Sequence, residues 1–456
     1  MKLPDPVIVV PGITASYLRD DYPLPPDDIW NVLRKRYEQV TLHPNNLRLE
    51  AMEPALVRPG QVFEVAYENL IEELRFNLSP AADKPVPVYP FGYDWRHPLD
   101  EIEAQFADFV QEVIERTKLI SHYHAADYHD NPKVNLVGHS MGGLIITGYL
   151  DSLGKKAQVG KVATLATPYQ GSYEAVIKVI TGTADLGTEA PSSREREAAR
   201  LTPALYHLLP SFEKAITVPD GKKRSLFDSN VWQPSVVDSI EELVRVHGLQ
   251  PRGRNNRKAR HEDAEHLFNG MLTLAKKHRA RIDKFDLSKA GLGRKDWLAV
   301  VGVGAVTRVR MDVIDGPGGP QFELKSADRC DEWRQGDDDL ARLTGDGTVP
   351  FEGALPTFLE ETDIVCVCPE DFGYWELKDK VLTRLAGFHG ILPNMNMVHR
   401  LLVRFFTDSP DRRENTWGTG VPGVTSSKWT PPLKLAYKAR EIEKKERSGP
   451  IARPDP

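Results

Sequence analysis

Cysteine is almost absent from this sequence, with only Cys330, Cys366 and Cys368 among 456 residues. Three thiols so few and so clustered cannot make a disulfide framework, so a reducing compartment is expected, with the cytoplasm as the location. No stretch of about 18 apolar residues occurs, which leaves no candidate for a membrane-spanning helix. Nor does an apolar signal region precede the first strand pattern: Met1-Lys2-Leu3-Pro4-Asp5-Pro6 leads straight into it, and export is not expected. The sequon Asn77-Leu78-Ser79 is accordingly read as chance. A net charge of −6 offers no electrostatic footing for nucleic acid. What the chain does have is length and 40% hydrophobic residues, enough for a substantial core.

The most informative stretch runs Val134-Asn135-Leu136-Val137-Gly138-His139-Ser140-Met141-Gly142-Gly143. It reads as a buried strand, a tight Gly-x-Ser-x-Gly turn, and a helix carrying Leu144, Ile145, Ile146 and Tyr149. That context separates a nucleophile elbow from an ordinary strand-to-helix turn. Ser140 is the candidate nucleophile, and the backbone N–H of Met141, at a helix N-terminus, is a candidate oxyanion donor. Near the start, Val7, Ile8, Val9 and Val10 form a buried strand pattern closed by Pro11-Gly12. In hydrolases with such an elbow the second oxyanion donor follows an early strand, which points to Thr14, with its neighbour Ile13 as the alternative.

Strand and helix patterns alternate from residue 7 to about 172, which predicts an α/β fold with a mostly parallel, doubly wound sheet. Residues 20–65, rich in proline, read as an excursion over the sheet edge. From about 180 to 295 the alternation stops, and this segment is read as an inserted cap or lid over the end of the sheet where Ser140 lies. Its basic run at 252–260 is weighed as a transient membrane-surface contact against a solvated loop. The expected organisation is a hydrolase core at 1–179 and 296–409, the cap at 180–295, and a charged, Pro-containing extension at 410–456. The extension is expected to be loosely ordered, or helical over 434–447. Two segments compete for the last strand, 363–368 and 381–385.

A serine hydroxyl needs a base, and the base needs an acid to fix its tautomer. Chain order in this fold is serine, acid, histidine. Asp346, in the glycine-flanked loop Gly345-Asp346-Gly347, is the preferred acid over Asp315 and Asp363, while Asp337, Asp338 and Asp339 read as a solvated run. His389, followed by Gly390, is the preferred base. His399 is its rival but falls on a terminal helix pattern, and His139 is expected to point away from the acid.

With these residues in place the chain resembles the lecithin:cholesterol acyltransferase family, which includes lysosomal phospholipase A2 and phospholipid:diacylglycerol acyltransferase. The resemblance is carried by Val9-Val10-Pro11-Gly12, Tyr93-Asp94-Trp95-Arg96, Gly138-His139-Ser140-Met141-Gly142, Ala166-Thr167-Pro168, Val301-Gly302-Val303-Gly304, Gly345-Asp346-Gly347-Thr348-Val349 and His389-Gly390-Ile391. It implies an α/β-hydrolase with Ser140, Asp346 and His389 as triad, and Thr14 and Met141 as oxyanion donors. It also implies cleavage of a phospholipid acyl ester, with transfer of the acyl group to water or a lipid alcohol. Region 20–65 lacks the cysteines with which the animal enzymes clamp a loop, and 180–295 resembles the family only weakly, so acyl and acceptor preferences are not implied. The expectation is a serine esterase acting on a lipid or other acyl ester, without cofactor, metal or nucleic acid and with protein partners undefined. The alternative is a catalytically silent scaffold that binds a partner through its cap and tail.

Overall fold

Six short apolar strands lie side by side at the centre: β1 (Val7–Val10), β2 (Val88–Pro90), β3 (Val134–His139), β4 (Val159–Leu165), β5 (Trp297–Gly302) and β6 (Val365–Val367). The computed structural model describes residues 3–181, 193–218, 224–249, 256–326, 342–372 and 387–438. The sheet order is β6-β5-β4-β3-β1-β2, and every pairing is parallel. The strands are apolar on both faces because helices cover both. Ile8 and Val10 belong to the core that also holds Phe106 and Val110 of the Leu99–Lys118 helix. Val7 and Val9 belong to the opposite core, with Leu70 and Leu74 of the Glu64–Leu78 helix and Leu401 and Leu402 of the Asn396–Thr407 helix. This is the doubly wound α/β architecture that the alternation predicts. The order reverses at β1, with β2 on one side and β3 on the other. Open parallel sheets bind ligands beyond the carboxyl ends of the strands at such a point.

Of the two segments competing for the last strand, 363–368 supplies β6, while 381–385 lies outside the described residues. The excursion has structure of its own: Ser16–Asp20, Asp27–Trp30 and Val57–Val62 form an antiparallel sheet, and Leu42–His43 pairs with Asn46–Glu50. The buried guanidinium of Arg96 clamps this region to the core, donating to Asp94, to Glu50 Oε1 at 2.8 Å and to the Val40 carbonyl.

Within 180–295 the described elements are mainly helical, including Ser193–Arg200, Pro203–His207, Pro234–His247 and Arg257–Ile282. The short strand Ile216–Thr217 pairs with Arg308–Gly316, which pairs in turn with Gly319–Ser326. A hairpin beyond β5 is thus hydrogen-bonded to the insertion. The described part of the basic run is not a loop: Asn256 caps the helix that begins at Arg257, and Arg260 lies 3.5 Å from Glu241. Asn256 is a good N-cap and Glu241 a nearby counter-charge, which together favour helix over solvated coil.

The extension from 410 departs from its expected looseness as far as residue 438. Thr419 O accepts the Cys366 N–H at the edge of β6 (2.8 Å), and Trp429 Nε1–H donates to Ile364 O (2.8 Å). Ala436–Tyr437 is a strand paired with Trp417–Gly418, not a helix. Two tryptophans provide anchoring area that the high proline and charge content obscured. Among the described residues no helix is long and apolar enough to cross a membrane.

Candidate active site

Ser140 stands between β3 and the Met141–Leu153 helix with φ 52° and ψ −128°. A positive φ at a non-glycine residue is a strained conformation that persists only where its surroundings enforce it. Here the helix start is pressed against β1: a Cβ on Gly142 would sit 2.2 Å from the Val10 carbonyl oxygen. The Ser140 N–H is held by Leu165 O at 2.9 Å. In front of the serine, a Cβ on Gly12 would come within 2.9 Å of Ser140 Cβ and 3.3 Å of Oγ, so only glycine leaves the hydroxyl open from this side.

His389 Nε2 lies 2.9 Å from Ser140 Oγ, and His389 Nδ1 lies 2.7 Å from Asp346 Oδ2. The acid's other oxygen accepts the N–H groups of Thr348 (2.9 Å) and Val349 (2.7 Å), and Asp346 is buried. Since Asp346 accepts at Nδ1, the neutral imidazole presents a bare Nε2 to the serine hydroxyl. The acid loop is fixed from behind by Thr307 Oγ1, which accepts the Gly347 N–H at 2.9 Å.

The rivals are placed elsewhere. Asp363 is buried in a bidentate pair with Arg294 (both bonds 2.6 Å), and Asp315 is exposed on the Arg308–Gly316 strand. His399 Nε2–H donates to the Pro393 carbonyl at 2.7 Å within the C-terminal helix region. Residues 337–339 lie outside the described residues. His139 lies under the site rather than toward the acid, with Nε2 bonded to the His389 carbonyl (3.0 Å). Burial, and secondarily the neighbouring His389, hold its pKa well below the usual imidazole value.

Of the two candidate oxyanion residues, Met141 directly follows Ser140, and Thr14 lies two residues beyond Gly12, which faces Ser140. Met141 is the first residue of its helix, where the N–H has no intrahelical acceptor. Thr14 has φ 62°, and its carbonyl accepts Trp30 Nε1–H at 2.9 Å. The Gly12 N–H is engaged by the Tyr67 hydroxyl at 2.9 Å, which leaves Ile13 and Thr14 as the loop's remaining donors.

Sequence reasoning singles out the Tyr93-Asp94-Trp95-Arg96 run but assigns it no role, and the structure shows it holding this loop. Tyr93 O–H donates to Pro11 O at 2.9 Å, and Trp95 packs on Trp30 with ring centroids 4.7 Å apart. The Tyr-Asp-Trp-Arg run therefore supports the loop after β1. Its signal was visible as two aromatics and an ion pair directly after a strand, but nothing in the sequence said what they faced. Beside the loop is a cavity of about 50 Å³, lined by Ile13, Thr14, Trp30, Val40, Trp95 and Leu205 among others. It joins the loop after β1, the antiparallel sheet and the segment between β4 and β5. Two groups among the described residues have the spacing to hold an ion, Asp127 with His129 and Asp130, and Asp238 with Glu241 and His261. Neither includes a residue of the site.

The parallel sheet, a serine turn after β3, and an acid and histidine following it in the chain define an α/β-hydrolase fold. Within that class, residues 81–243 match the family model described as lecithin:cholesterol acyltransferase. Among solved structures, the crystal structure of the Tle4–Tli4 complex includes a chain 14% identical, with a TM-score of 0.54, covering 89% of this chain and 99% of that one. At this identity the likeness speaks for the fold alone. The phospholipase PlaB from Legionella pneumophila, in complex with thio-NAD, aligns at 10% identity and a TM-score of 0.31 over 88% of this chain and 62% of PlaB. No curated protein sequence matches this chain.

Proposed function

We propose that this protein is a serine esterase that cleaves acyl esters of lipids, phospholipids foremost, through an acyl-enzyme on Ser140. The observation that carries this reading is the continuous path from Ser140 Oγ to His389 Nε2 (2.9 Å) and from His389 Nδ1 to Asp346 Oδ2 (2.7 Å). His389 takes the hydroxyl proton as Oγ attacks the ester carbonyl, and the Met141 and Thr14 N–H groups stabilise the oxyanion. Asp346 stabilises the imidazolium. Collapse of the tetrahedral intermediate expels the alcohol, which receives its proton from His389, and water deacylates the serine by the same steps in reverse. Transfer to a lipid alcohol is the lesser route. No step calls for a metal or cofactor.

The lipid assignment is supported by the match of residues 81–243 to the acyltransferase family model. In this reading 180–295 is a cap over a core formed by 1–179 and 296–409, the extension packs outside it, and the enzyme works in the cytoplasm with transient contact to a lipid surface. A fluorophosphonate probe tests the reading. Wild type should be labelled and Ser140→Ala should not. No labelling of either protein would favour a silent scaffold instead.

A further inference from the structure

Behind the serine, buried side chains connect the loop after β1 to the residue that supplies the base. The Tyr67 hydroxyl, from the Glu64–Leu78 helix, lies 2.9 Å from Gly12 N and 2.7 Å from His139 Nδ1. His139 Nε2 lies 3.0 Å from the His389 carbonyl oxygen. Both rings are buried, Tyr67 at 1% and His139 at 4% exposure.

Every donor direction in this chain is forced by its ends. A carbonyl oxygen can only accept, so the His139 proton is on Nε2. A ring shut away from water and 5.0 Å from the His389 ring is held neutral, which leaves Nδ1 bare. Nδ1 therefore accepts, and the Tyr67 O–H donates to it. The Tyr67 oxygen is then free to accept the Gly12 N–H, which has no other role to play. Reversing any one link would set two donors or two acceptors against each other.

We propose that Tyr67 and His139 are positioning residues for the esterase reaction, and that their hydrogen-bonded chain fixes the oxyanion loop and the base relative to each other. This rests on the esterase reading above. Gly12 must come close to Ser140, and Tyr67 holds it there while turning its N–H out of the site. The N–H groups that follow are thereby left for the oxyanion. At the other end, His139 tethers the His389 backbone, so the ring is not placed by Asp346 alone. When His389 becomes an imidazolium during turnover, the ring next to it is neutral and adds no repulsion. The residue between Gly138 and Ser140 in the elbow motif thus acquires a role that neither nucleophile nor base supplies.

Tyr67→Phe removes one oxygen and keeps the packing. On a soluble p-nitrophenyl ester, kcat should fall by about 10²-fold, as a displaced reacting group would, while KM stays within about threefold. His139→Phe should do the same. His139→Gln, which keeps an N–H for the His389 carbonyl, should recover about tenfold of that loss. A purely structural role predicts lower thermal stability with kcat unchanged for the folded fraction, and that result overturns the proposal. An independent readout is ring ¹⁵N NMR of the wild type, with the His139 signals assigned by their loss in His139→Gln. Protonated Nε2 and bare Nδ1 are expected throughout the pH range of activity, and a proton on Nδ1 overturns the chain whatever the activity. Wild type that shows the expected tautomer but neither labels nor turns over rejects the esterase reading, and the positioning role with it, while the chain itself stands.

Discussion

The candidate reaction centre and the joint between the Leu99–Lys118 and Arg257–Ile282 helices are both buried and both use histidine and carboxylate, yet they are assembled in opposite ways. At the centre, a single carboxylate is held by three donors and each ring nitrogen of His389 has one assigned partner. At the joint, Glu103 of the Leu99–Lys118 helix meets His278 Nε2 at 2.6 Å and the Arg281 guanidinium, both from the Arg257–Ile282 helix. Arg281 also donates to Gly148 O and Ser152 Oγ (both 3.0 Å), and buried Arg279 donates to His207 O at 2.8 Å. Burial raises the Glu103 carboxyl to about 8 in spite of Arg281. It also lowers His278 to about 3 and Arg279 to about 10. Among the described residues, neither ring nitrogen of His207 has a hydrogen-bond partner. A reaction centre has to be preorganised group by group, whereas a joint only has to hold, and it can tolerate charges whose desolvation is incompletely offset.

The largest expected effect sharpens the first half of that contrast. Asp346→Asn keeps an oxygen for the Thr348 and Val349 N–H groups, so the loop should stay in place. It offers an amide where His389 Nδ1–H needs an acceptor, and the wrong tautomer should lower kcat on a soluble ester by about 10⁴-fold. Thermal stability should change little. A loss smaller than about tenfold would mean that the centre is no more finely assigned than the joint.

The two regions also differ in how far the sequence revealed them. The centre was legible because each of its parts is a local pattern: an apolar strand, then a turn whose glycines and polar residue can be read at fixed spacing. Ser140, Asp346 and His389 were named together for that reason, and the structure brings them together. The doubly wound sheet followed from the same alternation. The joint was not legible. Glu103 sits among other acidic residues of an amphipathic helix, and His278, Arg279 and Arg281 sit in a basic helix end, so composition marks all four as surface. The burial of Glu103, His278 and Arg279 depends on residues 175 apart in sequence meeting beside Gly148, where a Cβ would stand 1.8 Å from Glu103 Oε1. The packed extension was hidden similarly, since two tryptophans are a small fraction of a segment dominated by proline and charge.

A smaller effect tests the second half. The Glu103 carboxyl rises from an ordinary 4.5 to about 8 on folding. Between those values the folded protein binds a proton that the unfolded chain has released, so stability falls as pH rises. The contribution is complete below about pH 4.5 and is lost by about pH 8. Glu103→Gln cannot titrate, and it mimics the protonated group. Wild type measured against this variant by thermal unfolding should lose stability between these limits, at no more than about 1.4 kcal/mol per pH unit. Parallel stability curves across this window would show that Glu103 is charged throughout and that the joint is an ordinary ion pair.

The smallest effect falls on the loop after β1, which lies between the two extremes because it is held by both hydrogen bonds and aromatic packing. Trp30 Nε1–H donates to Thr14 O at 2.9 Å, and its ring packs on Trp95 and lines the adjacent cavity. Trp30→Phe keeps an aromatic ring and removes the donor. If the bond's role is to hold Thr14, its loss is worth about 1 kcal/mol and should lower kcat/KM roughly fivefold, equally for every ester. If the ring acts chiefly as a wall for the acyl chain, the loss should grow with chain length, toward about 0.8 kcal/mol for each methylene that loses its burial. A series of p-nitrophenyl esters from acetate to long chains separates the two outcomes. A uniform loss is expected, because Thr14 is held in a left-handed conformation, φ 62°, that does not persist without support. A loss confined to long chains would make Trp30 chiefly a wall of the adjacent cavity rather than a support of Thr14.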